Sequence, residues 1–125
     1  VKSPTAGTLL ICGDRNWKDY DLILMMLRTL PRDTKVIHGG CRGADRMAGQ
    51  AAKYLGMKVK VFPALWMLQG KAAGPLRNQR MLDKGKPGMV WAFHNHIERS
   101  KGTKDMVERA KEAGITVVIH TIKEG

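Results

Sequence analysis

The stretch Lys35-Val36-Ile37-His38-Gly39-Gly40-Cys41-Arg42-Gly43-Ala44-Asp45 decides the fold. A short apolar run ends in a glycine-rich turn, and a helical pattern begins directly behind it. Ala44, Met47, Ala48, Ala51 and Leu55 recur at helical spacing until Gly56 stops them. Glycines at such a junction let the backbone approach a ligand with no Cβ in the way. Free N–H groups at a helix start attract an anion. Arg42 adds fixed positive charge, and Asp45 can accept hydrogen bonds from hydroxyls. Gly39, Gly40, Arg42, Gly43 and Asp45 therefore read as a phosphate cradle with a ribose partner beside it.

The same strand–helix alternation runs outward in both directions. Residues 8–13 form a first strand, continuously apolar from Leu9 through Cys12. Leu22, Ile23, Met26, Leu27 and Leu30 mark a first helix that Pro31 ends. Residues 58–62 alternate Lys and Val, as an edge strand with one wet face does. A third helix starts at Gly74-Pro75 and runs to about Lys84, and residues 88–93 form a buried central strand. Thr103 reads as the N-cap of a fourth helix whose inner face is Met106, Val107, Ala110 and Ala113. Residues 115–119 form the last strand. Trp66, Met67 and Leu68 make an apolar cluster outside the regular elements.

Five strands alternating with helices predict a single α/β domain: a Rossmann-like three-layer fold with a mostly parallel sheet in the order 3-2-1-4-5. Strands 1 and 4 then flank the switch point where such sheets bind ligands at their carboxyl ends. The loops 13–17, 39–45 and 94–102 should converge there. In the first of them Arg15 can pair with a phosphate, with Gly13 and Asp14 beside it, while Trp17 reads as packing. Arg77 and Asn78 sit in the first turn of the third helix, and Gly102 and Thr103 start the fourth. All of these join the candidate nucleotide site. No catalytic residue is assigned. His94 and His96 are too few for a metal centre, and no cofactor is expected.

The 125 residues suit one domain, 8–125, with 1–7 as a flexible lead lacking an apolar signal segment. Cys12 and Cys41 are unlike a disulfide framework and read as reduced thiols of a cytoplasmic protein. No run is long enough to span a membrane. The 22 Lys and Arg residues against 11 acids, a net charge of +11, favour polyanions or phosphorylated small molecules without choosing between them.

Four motifs then appear in order: Gly13-Asp14-Arg15-Asn16-Trp17, His38-Gly39-Gly40-x-Arg42-Gly43-Ala44-Asp45, Ala73-Gly74-Pro75-x-Arg77-Asn78 and Gly102-Thr103-x-Asp105-Met106. Together they resemble the YspA-like branch (DUF2493) of the SLOG superfamily, which also holds the LOG phosphoribohydrolases and the DprA/Smf proteins. The resemblance implies a Rossmann-like fold that binds nucleotides or nucleotide-derived molecules. Gly39, Gly40, Arg42, Gly43 and Asp45 would form the phosphate and ribose site, closed by Arg77, Asn78, Gly102 and Thr103. It also implies a homo-oligomer.

One departure matters. The LOG enzymes carry a catalytic glutamate three residues after the threonine of a Pro-Gly-Gly-x-Gly-Thr motif. Here that position is Met106. Asp105 is one position short and points about 100° away on a helix. The favoured reading is a protein that senses or sequesters a nucleotide signal, cyclic and ADP-ribose-like molecules included, in bacterial anti-viral defence or its evasion. The alternatives are a nucleoside 5'-monophosphate phosphoribohydrolase and a single-stranded nucleic-acid-binding module.

Overall fold

A computed structural model describes residues 7–122. The expected lead, Gly7 excepted, lies outside the described residues. Strands β1 (Thr8–Gly13), β2 (Lys35–His38), β3 (Lys58–Val61), β4 (Met89–Phe93) and β5 (Thr116–His120) form one sheet in the order β3-β2-β1-β4-β5. Every pairing is parallel, with Leu10 aligned to Ile37 on one side and to Val90 on the other. This is the Rossmann-like order expected from the alternation of elements.

Alternate residues of β1 feed two cores. Leu9 and Ile11 pack with Ile23 and Leu27 of α1 (Tyr20–Arg28) and the alanines of α2 (Ala44–Tyr54). Leu10 and Cys12 pack with Met81 and Leu82 of α4 (Ala73–Gly85) and Met106, Val107 and Ala110 of α5 (Gly102–Glu112). Leu10, Ile11, Ile23 and Leu27 are fully buried. Each such side chain contributes roughly 1.5–3 kcal/mol relative to exposure. The Asp19 carboxylate accepts the Leu22 amide at 3.0 Å and fixes where α1 begins. That helix ends at Arg28 with Thr29 as its C-cap, so Leu30 lies beyond it.

Three local expectations are corrected. Trp66–Gln69 forms a short helix, α3, followed by a 3₁₀ turn at Gly70–Ala72. Four residues are too few for a periodic signal. Thr103 lies inside the first turn of α5 and does not cap it. Its side chain is buried, and the Ser100 hydroxyl accepts its amide at 3.0 Å instead. Ala113 is exposed and is the C-cap, because Gly114 at φ +76 has already turned the chain away.

Candidate functional site

The carboxyl end of β1 opens into a cleft of about 500 Å³ between the β1 loop, the β2 loop, α4 and the start of α5. Gly13, Arg15, Asp45, Arg77, Asn78, Gly102 and Thr103 all line it. A second lobe of about 380 Å³ continues past the β2 loop, where Gly39, Gly40 and Arg42 line it. The two lobes share Arg15, Cys41, Trp66 and Arg77. Asp14 and Gly43 line neither lobe. The Asp14 side chain accepts the Asn16 amide, and its carbonyl accepts those of Trp17 and Ala44.

In the glycine-rich turn four amides are taken by the protein's own acceptors. Asp45 Oδ2 accepts the Gly39 amide at 3.0 Å and the Cys41 amide at 3.3 Å. His38 Nδ1 accepts the Gly40 amide at 3.0 Å, and the Asp14 carbonyl accepts that of Ala44. These four donors already have partners. Gly43 joins the turn to α2 at φ 74, ψ −125, outside the region L-residues adopt. A Cβ there would collide with the carbonyl oxygens of Asp14 and Arg15.

Arg77 is buried, and no carboxylate lies within ion-pair distance of it among the described residues. Its Nη1 donates to the carbonyls of Gly39 at 2.7 Å and Phe62 at 3.3 Å, and its Nε donates to Asn78 Oδ1 at 3.0 Å. A Cβ on Gly39 would run into this guanidinium. Asn78 Nδ2 in turn donates to the Gly102 carbonyl at 3.3 Å and to Asp105 Oδ2 at 3.0 Å. Asp105 also accepts Arg109 Nε at 2.9 Å. Adjacent residues of α4 thus hold the β2 loop and the start of α5.

Two buried groups titrate in opposite senses. Burial pushes Asp45 up to about 6, against the pull of the Cys41 and Gly39 amides and the Arg77 charge. Burial, with the charges of Lys53 and Arg77, lowers His38 to about 4. From about pH 4 to 6.5 the unfolded chain binds a proton that native His38 refuses, so this stability rises with pH. From 3.8 to about 6 native Asp45 keeps a proton that the unfolded chain releases, so its contribution falls. The pair nearly cancels. His38→Asn leaves an oxygen to accept the Gly40 amide and removes only the rising component. Urea unfolding of this variant should show stability declining with pH across that window relative to the parent. An unchanged slope would refute the opposition.

Several cleft residues escaped the sequence reading. Lys71 and Lys101 enter beside Arg15. Trp66, half exposed, stands where the lobes join, and it is α3 that brings it there. A tryptophan and a lysine, Trp66 and Lys71, shortly ahead of a Gly-Pro helix start were the available signal. Trp17, by contrast, is buried edge-on against Phe93, 5.6 Å between ring centroids, and is structural as expected. His94 Nδ1 accepts the His96 amide at 2.9 Å. Both cysteines are free thiols, and Cys12 is buried.

A profile of the YspA, cpYpsA-related SLOG family matches residues 8–68. The Gene 61 protein of Mycobacterium phage D29 is 35% identical over 119 residues, covering 88% of this chain and 93% of that protein. The chain belongs to the YspA-related SLOG family. Within this SLOG protein the profile spans β1 through α3, so it takes in the β1 loop, the glycine turn and Trp66. Arg77, Asn78, Gly102 and Thr103 follow it and complete the cleft. Membership points to nucleotide-related binding or processing. No helix among the described residues is long and apolar enough to cross a membrane.

Proposed function

We propose that the protein binds a nucleotide or nucleotide-derived signalling molecule in this cleft and holds it uncleaved, as a sensor or a sequestering protein. The observation that carries the reading is the contrast between cations and carboxylates. Arg15, Lys71 and Lys101 line the larger lobe with no side-chain hydrogen bond or ion pair to another described residue. The carboxylates that line it, Asp45 and Asp105, are held by amides, Asn78 and Arg109. The ligand's anionic group sits at the start of α5, where the Gly102 amide and the helix dipole add to Lys101 and Arg15.

Cleavage of an N-glycosidic bond needs a carboxylate free to position water. Met106, at the position of the LOG glutamate, is only 1% exposed and packs in the core. Self-association belongs to the same reading, supported by Met67 and Leu68, which α3 turns fully outward.

Titration calorimetry against mononucleotides, cyclic nucleotides and ADP-ribose derivatives tests the proposal. At least one should bind, and Arg15→Ala and Lys101→Ala should each weaken it roughly tenfold, as loss of a charge-assisted contact does. Silence across the panel from folded protein would overturn the reading. Free base released during titration would favour the phosphoribohydrolase. Affinity only for long single strands, falling steeply with salt, would favour the nucleic-acid module.

A further inference from the structure

The second lobe lies between the loops that follow β2 and β3. Its walls differ in kind from those of the first. Val61, Pro63 and Ala64 form an apolar side, and the Trp66 indole stands at its junction with the larger lobe. The backbone of Gly39 and Gly40 forms the other side, and the amides of both are already bound to Asp45 and His38. A phosphate placed there would find no amide donor from either glycine. Arg46 Nε is fixed on the Gly40 carbonyl at 3.1 Å, so its guanidinium plane is held at the rim. No carboxylate is among the residues that line this lobe.

The apolar side and the indole suit the faces of a flat ring, while Arg15, Arg42, Arg46 and Arg77, which also line the lobe, suit its electron-rich edge atoms. Indole and guanidinium planes stack on heteroaromatic rings, and aliphatic walls exclude water from their faces. We infer that the second lobe seats the planar base of the ligand, with Trp66 as its stacking residue and the main determinant of preference for a base-bearing ligand. The inference rests on the nucleotide reading of the larger lobe and reverses the direction suggested by the glycine turn. The phosphate lies toward α5, and the base lies beside Gly39 and Gly40. The side chain of Trp66 is half exposed and packs near Gly74, so truncating it removes a surface and leaves the core intact.

The test compares AMP and UMP with ribose 5-phosphate, which keeps the anion and sugar and lacks the base. The nucleotides should bind more tightly than ribose 5-phosphate. Trp66→Ala should weaken nucleotide binding roughly tenfold, the size of one lost base–aromatic stack, and leave ribose 5-phosphate unchanged. Trp66→Phe should restore most of the loss. Lys101→Ala should weaken all three ligands together. Intrinsic fluorescence gives an independent reading, because Trp17 and Trp91 are buried and Trp66 is not. Nucleotides should quench it, ribose 5-phosphate should not, and Trp66→Phe should abolish the response. Equal affinity for the sugar phosphate, or a Trp66→Ala variant indifferent to the base, overturns the inference while the anion site stands. Failure of all three ligands in the parent protein overturns this assignment, and silence across the wider panel removes the nucleotide reading with it.

Discussion

Gly43→Ala is expected to be the most damaging single-methyl change in the chain. The residue occupies φ 74, ψ −125, where a Cβ is strained by roughly 1–3 kcal/mol before any neighbour is considered. The added methyl would also press on the carbonyl oxygens of Asp14 and Arg15, backbone atoms with no rotamer to yield. The carbonyl of Asp14 accepts the Ala44 amide at 3.1 Å, so relieving the clash means detaching the β1 loop from α2. A total loss of about 3 kcal/mol or more follows, and a fall in Tm on the order of 10 °C. Scanning calorimetry reads it directly. A variant melting within a couple of degrees of the parent would show that the turn can relax in a way this geometry does not provide. Gly102→Ala is the control. A Cβ there meets nothing within 4 Å, and its stability should hardly change.

The second large effect is expected at Arg77. Arg77→Met keeps the aliphatic bulk and removes every donor. The carbonyls of Gly39 and Phe62 and the Asn78 side-chain oxygen lose a buried partner together, and Asp45 loses the cation that favours its ionised form. Leaving a buried acceptor without its donor costs about 1–3 kcal/mol, and Arg77→Met does so at more than one. Arg77→Lys should recover only part of this, since an ammonium cannot span Gly39 and Asn78 with one planar fork. Arg77→Met and Asp45→Asn should couple: the double variant should be less destabilised than the sum of the two, because both residues hold Gly39, one through its carbonyl and the other through its amide. Strict additivity in urea unfolding would separate the two residues. Ligand affinity should fall with Arg77→Met even though the guanidinium faces the protein, because the β2 loop it holds is a wall of both lobes.

The architecture was legible because its signals are long or repeated. The apolar run of β1 and the helical spacing from Ala44 to Leu55 each bury a whole face, and parallel strands with right-handed crossovers leave few possible orders. The convergence of Arg15 and Gly102 followed from that order, whereas Arg77 and Asn78 were added from their place in the first turn of a helix. What stayed hidden was pairing at the level of single donors. Nothing in Gly39-Gly40-Cys41 says that Asp45 and His38 take their amides, because that depends on the turn's dihedrals. Arg77 reads as an anion ligand from its place in the first turn of a helix, and only burial shows that its donors face carbonyls. Trp66 reads only as part of an apolar cluster because a four-residue helix leaves no period to read, and its place at the cleft is tertiary.

The pairing of Arg77 with the β2 loop and of Asn78 with α5 has a mechanical consequence. Consecutive residues on one turn of a helix cannot move apart, so the two sides of the cleft are coupled to a single rigid body. While these bonds hold, a displacement of α4 carries both of these rims with it. The outward side of that helix, where Leu76 is exposed, is then the place where occupancy becomes visible from outside. A molecule bound between the loops would be announced there, on a surface that does not touch it.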